Sequence, residues 1–142
     1  MNKKILIASD HAGFDLKEKI LNFFKSNKFE DLGTKNDEKV DYPDFANKLA
    51  SEINKSSKEK LGILICGSGN GMVISANRYK NVRAGLAFNP QIAKLIKEHN
   101  DANILVLPGR FMDVHDAIKC INNFLSSHFQ GGRHSVRLKK IN

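Results

Sequence analysis

No apolar run in the 142 residues approaches the ~18 that a membrane-spanning helix needs. The first apolar run, Ile5–Ala8, follows Lys3 and Lys4 and stops at Ser9-Asp10-His11 without a cleavage site. It is too short for a signal-peptide core and reads as a first strand. There are only two cysteines, Cys66 and Cys120, without metal-type spacing, so both are expected to be free thiols. Histidines and carboxylates form no ligand cluster, which argues against a metal or other cofactor. No glycine-rich loop runs on into the Gly-Lys-Ser/Thr of a nucleotide-binding P-loop. Basic residues are not interleaved with aromatics, which argues against a nucleic-acid partner despite a net charge of +8. These absences point to a cytoplasmic protein with neither a membrane nor a nucleic-acid partner.

The charge surplus has two parts. Lys17, Lys19, Lys25 and Lys28 read as solvated lysines on polar helix faces. Arg133, His134, Arg137, Lys139 and Lys140 crowd within eight positions of the C-terminal segment. Such a surplus can also serve a phosphorylated small substrate.

Apolar bursts alternate with helical patterns. Strands are expected at Lys4–Ser9, Lys28–Leu32, Leu61–Cys66, Val82–Phe88 and Ile104–Pro108. Helical stripes are Leu16, Ile20, Phe23 and Phe24; Phe45, Leu49 and Ile53; Ile92, Leu95 and Ile96; and Val114, Ala117, Ile118, Ile121 and Leu125. A further helix is expected from about Asn70 to Tyr79. Asn89 before Pro90, and Asp113, are helix-start signals. The alternation predicts an α/β fold, with a five-stranded parallel sheet and helices on both faces. The length suits one domain, 1–142, with an aperiodic C-terminal arm, 129–142, that Gly131-Gly132 breaks from the last helix.

Ligands in such sheets bind beyond the carboxyl ends of the strands. There lie Ser9-Asp10-His11-Ala12-Gly13, Cys66-Gly67-Ser68-Gly69-Asn70-Gly71 and Pro108-Gly109-Arg110. The loop from Gly67 to Gly71 can turn successive N–H groups into one anion-binding spot, or can simply be a tight turn. Cys66 at its edge is either a buried inert thiol or a base whose pKa the donors and helix end lower. Asp10 can cap the following helix, and Tyr42-Pro43 can be a turn into the second helix. His99 continues the third stripe as a packed histidine would, yet also ends that helix.

Five segments, in order, resemble the ribose-5-phosphate isomerase B family and its galactose-6-phosphate and allose-6-phosphate relatives. They are Ser9–Phe14, Asp41-Tyr42-Pro43, Cys66–Gly71, Glu98-His99-Asn100-Asp101-Ala102-Asn103, and Gly131-Gly132-Arg133-His134 with Arg137. The resemblance spans positions 9 to 137. It implies a three-layer α/β/α sandwich with a Rossmann-like sheet. The implied activity is metal-independent interconversion of ribose 5-phosphate and ribulose 5-phosphate through a cis-enediolate, in the pentose phosphate pathway. A six-carbon sugar phosphate is the alternative substrate, and a non-catalytic phosphosugar sensor is a more distant one.

The same resemblance implies roles. Cys66 is the base between C1 and C2; where some members carry a glutamate just after the glycine loop, this chain has Met72. Ser68 shuttles the proton between the two oxygens, and the N–H groups of Gly67, Gly69, Asn70 and Gly71 hold the enediolate. Asp10 orients hydroxyls or aids ring opening. His99 opens the ring, with Asn100 beside it. His11, Arg133 and Arg137 contact phosphate, Arg110 joins them across a subunit interface, and Tyr42 is a possible substrate contact. A homodimer or homotetramer with shared active sites is implied.

Overall fold

The computed structural model describes residues 2–25 and 28–141. Asn142, the last residue assigned to the arm, and Met1 lie outside the described residues. The elements in chain order are β1 (Lys4–Ser9), α1 (Phe14–Phe24), β2 (Phe29–Asp31), α2 (Tyr42–Lys55), β3 (Lys60–Cys66), α3 (Asn70–Ala76), β4 (Ala84–Leu86), α4 (Pro90–Asn100), β5 (Ile104–Pro108), α5 (Val114–Ser126) and α6 (Arg133–Leu138). All strand pairs are parallel, in the order β2-β1-β3-β5-β4.

Alternation along the strands divides the core in two. Ile5, Ile7, Ile63, Ile65, Leu105 and Leu107 face α1, α4 and α5. Leu6, Ala8, Leu64, Cys66, Ile104 and Val106 face α2 and α3. Successive strand residues point to opposite faces, so a continuous apolar run makes a strand covered on both. The result is the expected α/β/α sandwich.

The chain leaves β1 for α1 on one face and β3 for α3 on the other. Adjacent loops therefore diverge between β1 and β3, which opens the crevice where such sheets take ligands.

Several elements are shorter than their sequence pattern suggests. α3 ends at Ala76, where bonds tighten to three-residue spacing: Arg78 N–H to Ser75 O and Tyr79 N–H to Ala76 O. Asn77 then takes the place of a neighbouring strand. Its side chain accepts from Ala84 N–H at 2.8 Å and donates to Ala84 O at 2.9 Å. β4 is a three-residue edge strand, and Phe88 beyond it turns out to solvent.

α4 covers this edge incompletely. Of its stripe, Ile92 and Ile96 pack against the core in part, Leu95 does not, and only Ala93 is fully buried. The arm is also more ordered than its lack of periodicity suggests, since Arg133–Leu138 forms a helix packed on α4. Asn89 and Asp113 cap their helices by accepting from Ile92 N–H and Asp116 N–H.

Lys17 corrects the reading of the charge surplus. It is not a solvated lysine but has no exposed surface. Its ammonium lies between both carboxylate oxygens of Asp31, at 2.7 and 2.8 Å, and Thr34 O at 2.9 Å. Its position at i, i+4, i+7 with Leu21 and Phe24 places it beside the apolar stripe, which is the sequence signal for its burial.

Candidate active site

Register places the crevice residues. Ser9 pairs with Ile65, so Asp10 and Cys66 follow side by side at the tips of β1 and β3. Asp10 N–H donates to Ile65 O at 3.3 Å. Asp10 Oδ1 accepts from Gly13 N–H at 3.0 Å, closing the turn that leads into α1. Tight packing lets this turn sit on β3: a methyl group at Gly13 would lie 2.5 Å from Ile65 O. The loop after β5 is tied to the loop after β3 by Gly109 N–H to Cys66 O at 2.7 Å and Arg110 N–H to Gly67 O at 3.0 Å.

The glycine loop wraps its amides around the thiol. N–H groups of Met72, Gly69 and Gly71 are directed at Cys66 sulfur. Asn70 N–H faces Ser68 Oγ at 3.3 Å. Gly69 has φ 86°, a left-handed conformation that suits glycine, and a side chain there would strike Leu86.

The expected lowering of the Cys66 pKa is not what this arrangement gives. Burial at 5% exposure pushes the thiol up, the Asp10 charge adds to this, and the three amides offset it only in part. Cys120 sits fully buried on α5 and is pushed up to about 12, mainly by burial, consistent with a core thiol.

Three further residues frame the loop. His11 Nδ1 is held by the Val40 backbone, 3.2 Å from both its N–H and its O, which leaves Nε2 free to meet a ligand. The ring of Tyr42, the first residue of α2, lies against Gly71. Arg110 lies beside the glycine loop of its own chain: its Nη1 would be 3.4 Å from a methyl group on Gly67. Asp10, His11, Tyr42, Cys66, Gly67, Ser68, Gly69, Asn70, Gly71 and Arg110 thus form one cluster at the carboxyl pole of the sheet.

His99, Asn100 and Arg133 lie elsewhere. α4 runs antiparallel to the strands, and its end meets the start of β4, where Arg83 Nε donates to Asn100 O at 3.0 Å. His99 stacks on His134 with centroids 4.3 Å apart and planes at 14°. His134 is 6% exposed, its Nε2 has no hydrogen-bond partner among the described residues, and burial followed by the nearby His99 charge lowers its pKa. Arg133 and Arg137 are on the same short helix, one turn apart. β3 alone, at seven residues, puts about 20 Å between the two poles. The fold therefore places the residues singled out in the sequence in two groups at opposite poles of the sheet.

A groove of about 760 Å³ runs along the β4 edge, between Arg78, Tyr79, Arg83, Ile96, Leu138 and Ile141. Sequence reasoning missed the support around the cluster, namely Val40, Asp31 and Lys17. Only the spacing of Lys17 hinted at it.

A family profile described as Ribose/Galactose Isomerase matches residues 5–141. Ribose-5-phosphate isomerase B of Escherichia coli is 36% identical over 141 residues, covering 98% of this chain and 94% of that one. The crystal structure of a ribose 5-phosphate isomerase from Thermotoga maritima superposes with a TM-score of 0.93 at 50% identity, over 99% of this chain and 98% of that one. Ribose-5-phosphate isomerase B from Mycoplasma genitalium, solved with bound ribulose-5-phosphate, gives a TM-score of 0.93 at 42% identity, over 99% and 95%.

Proposed function

The chain belongs to the ribose/galactose isomerase family, and we propose that it interconverts ribose 5-phosphate and ribulose 5-phosphate in the cytoplasm, as a step of the pentose phosphate pathway. The observation that carries the reading is the Cys66 thiol at a strand tip, enclosed by amides of Gly69, Gly71 and Met72 and adjacent to Asp10.

On this reading the reaction needs no partner reactant. The Cys66 thiolate takes the proton from C2 of the open-chain aldose. The C2–H electrons form a C1–C2 double bond, and the C1 carbonyl oxygen becomes an oxyanion. Ser68 Oγ passes a proton between O2 and O1, and the Cys66 thiol returns its proton to C1, leaving a carbonyl at C2. Loop amides stabilise the charge on oxygen; one such donor is worth about 2.7–4 kcal/mol of barrier in comparable sites. Asp10 orients the hydroxyls. His11 and Arg110 hold the phosphate, whose binding energy positions the carbons.

Ring opening by His99, with Asn100, and the phosphate contacts of Arg133 and Arg137 require a second copy. We propose a homodimer, alone or paired into a tetramer, in which the amino pole of one subunit meets the carboxyl pole of the other. The half-covered face of α4, the β4 edge and the adjoining groove support this assembly. It also supplies what the isolated thiol lacks, because the partner's cationic groups favour the thiolate.

Replacing Cys66 by alanine tests the reading. With ribose 5-phosphate, kcat should fall by about 10²–10⁴-fold while substrate affinity changes little. Unchanged turnover would remove Cys66 as the base. Greater turnover of galactose 6-phosphate by the unaltered protein would reassign the substrate.

A further inference from the structure

Lys17 has no exposed surface, although lysine is among the residues least often buried. Its hydrogen-bond partners among the described residues belong to one stretch of chain. Asp31 offers it both oxygens and also accepts from Gly33 N–H at 2.9 Å. Thr34 O receives a further bond from the ammonium at 2.9 Å. Glu18 Oε2 lies farther off at 3.8 Å, and the Phe14 ring centroid is at 5.4 Å.

Residues 31–34 are in turn laced to the end of β1. Leu32 N–H donates to Ile7 O, Thr34 N–H to Ser9 O, and Ser9 N–H to Gly33 O, all at 2.8–2.9 Å. The next two residues of that strand's exit are Asp10 and His11. After Thr34 the chain is exposed from Lys35 through Lys39 and comes back at Val40, whose backbone holds the His11 ring. Two residues later Tyr42 lies against Gly71. The segment is therefore a span fixed at both ends. Lys17 fixes one end, and the other end supports His11 and Tyr42.

We propose that Lys17 is a positioning residue for substrate binding: by tying Asp31 and Thr34 to α1 it sets the path of residues 35–41, and through Val40 the orientation of His11 toward the substrate's phosphate. The inference rests on the isomerase reading of the site. Lys17 touches no substrate, so its effect is expected on binding rather than on proton transfer. A purely structural lysine would lower thermal stability and leave the kinetic constants of the folded molecules alone.

Kinetics of Lys17→Met with ribose 5-phosphate separate these cases. The expected result is a KM raised about tenfold with kcat within about twofold, since uniform binding is lost and chemistry is not. Inhibition by inorganic phosphate should weaken by the same factor. Lys17→Arg, which keeps the charge and its donors, should restore part of the loss. On a His11→Ala background, adding Lys17→Met should change KM less than about twofold, because residues acting through one contact are not additive. Phe124→Leu, a core change on α5, serves as a control that lowers Tm without moving KM. If Lys17→Met does not fold, Asp31→Asn carries the same test from the other side of the pair. A lowered Tm with unchanged KM in either variant would overturn the proposal, as would additive effects with His11→Ala. Lack of activity in the unaltered protein would instead overturn the isomerase reading, and the positioning role with it.

Discussion

Burial of the two thiols ties stability to alkaline pH. In the folded chain both Cys66 and Cys120 hold their protons more tightly than the ordinary thiol does, Cys120 up to about 12. The unfolded chain ionises near the ordinary value of about 8.5. Above that pH the unfolded state binds fewer protons than the folded one, so stability, fully present below it, declines as pH rises towards the folded values. For Cys120 the slope approaches about 1.4 kcal/mol per pH unit. Tm measured between about pH 9 and 11 should therefore fall less steeply in Cys120→Ala than in the unaltered protein. Parallel curves would mean that Cys120 ionises in the folded state as freely as in the unfolded one. The chemistry follows the opposite sign. In the proposed mechanism the thiolate, not the thiol, is the base, so kcat/KM should rise as pH increases from neutral, until the stability loss takes over.

Elements differ in how plainly the sequence announces them. β1 and β5 match their expected ends because each is a continuous apolar run closed by polar or Pro-Gly residues. β4 was overestimated because Val82–Phe88 looks like a buried strand, while an edge position leaves Ala84–Leu86 half-covered and turns Phe88 outward. The arm's helix has too few apolar residues to show a period. Cys66, the glycine loop, Asp10 and His11 were legible from their place at strand ends. His99 and the two arginines were legible as a set only through family resemblance, since their own positions on the chain's far pole give no hint of a shared task. The thiol's raised pKa is not legible in the sequence, since the burial that outweighs the amide donors shows only in the fold. The turn joining β1 to α1 depends on close approach, and Gly13→Ala should cost about 1–3 kcal/mol in urea unfolding, because the added methyl has to displace the Ile65 carbonyl. An unchanged midpoint would show that the turn moves aside freely.

The molecule as a whole carries Cys66 at one end and His99 at the other, so subunit mixing tests the assembly directly. Cys66→Ala and His99→Asn should each be nearly inactive alone. Refolded together in equal amounts, they should recover about a quarter of normal activity, because half the dimers are mixed and each has one intact site. No recovery would mean that the two half-sites never meet. The distance between them has a further effect. In the proposed assembly the active centre exists only where two chains touch, so the specific rate varies with the enzyme's own concentration. In a dilute assay, activity per milligram should decay as dimers separate, and a sugar phosphate lodged across the seam should slow that decay by holding them together.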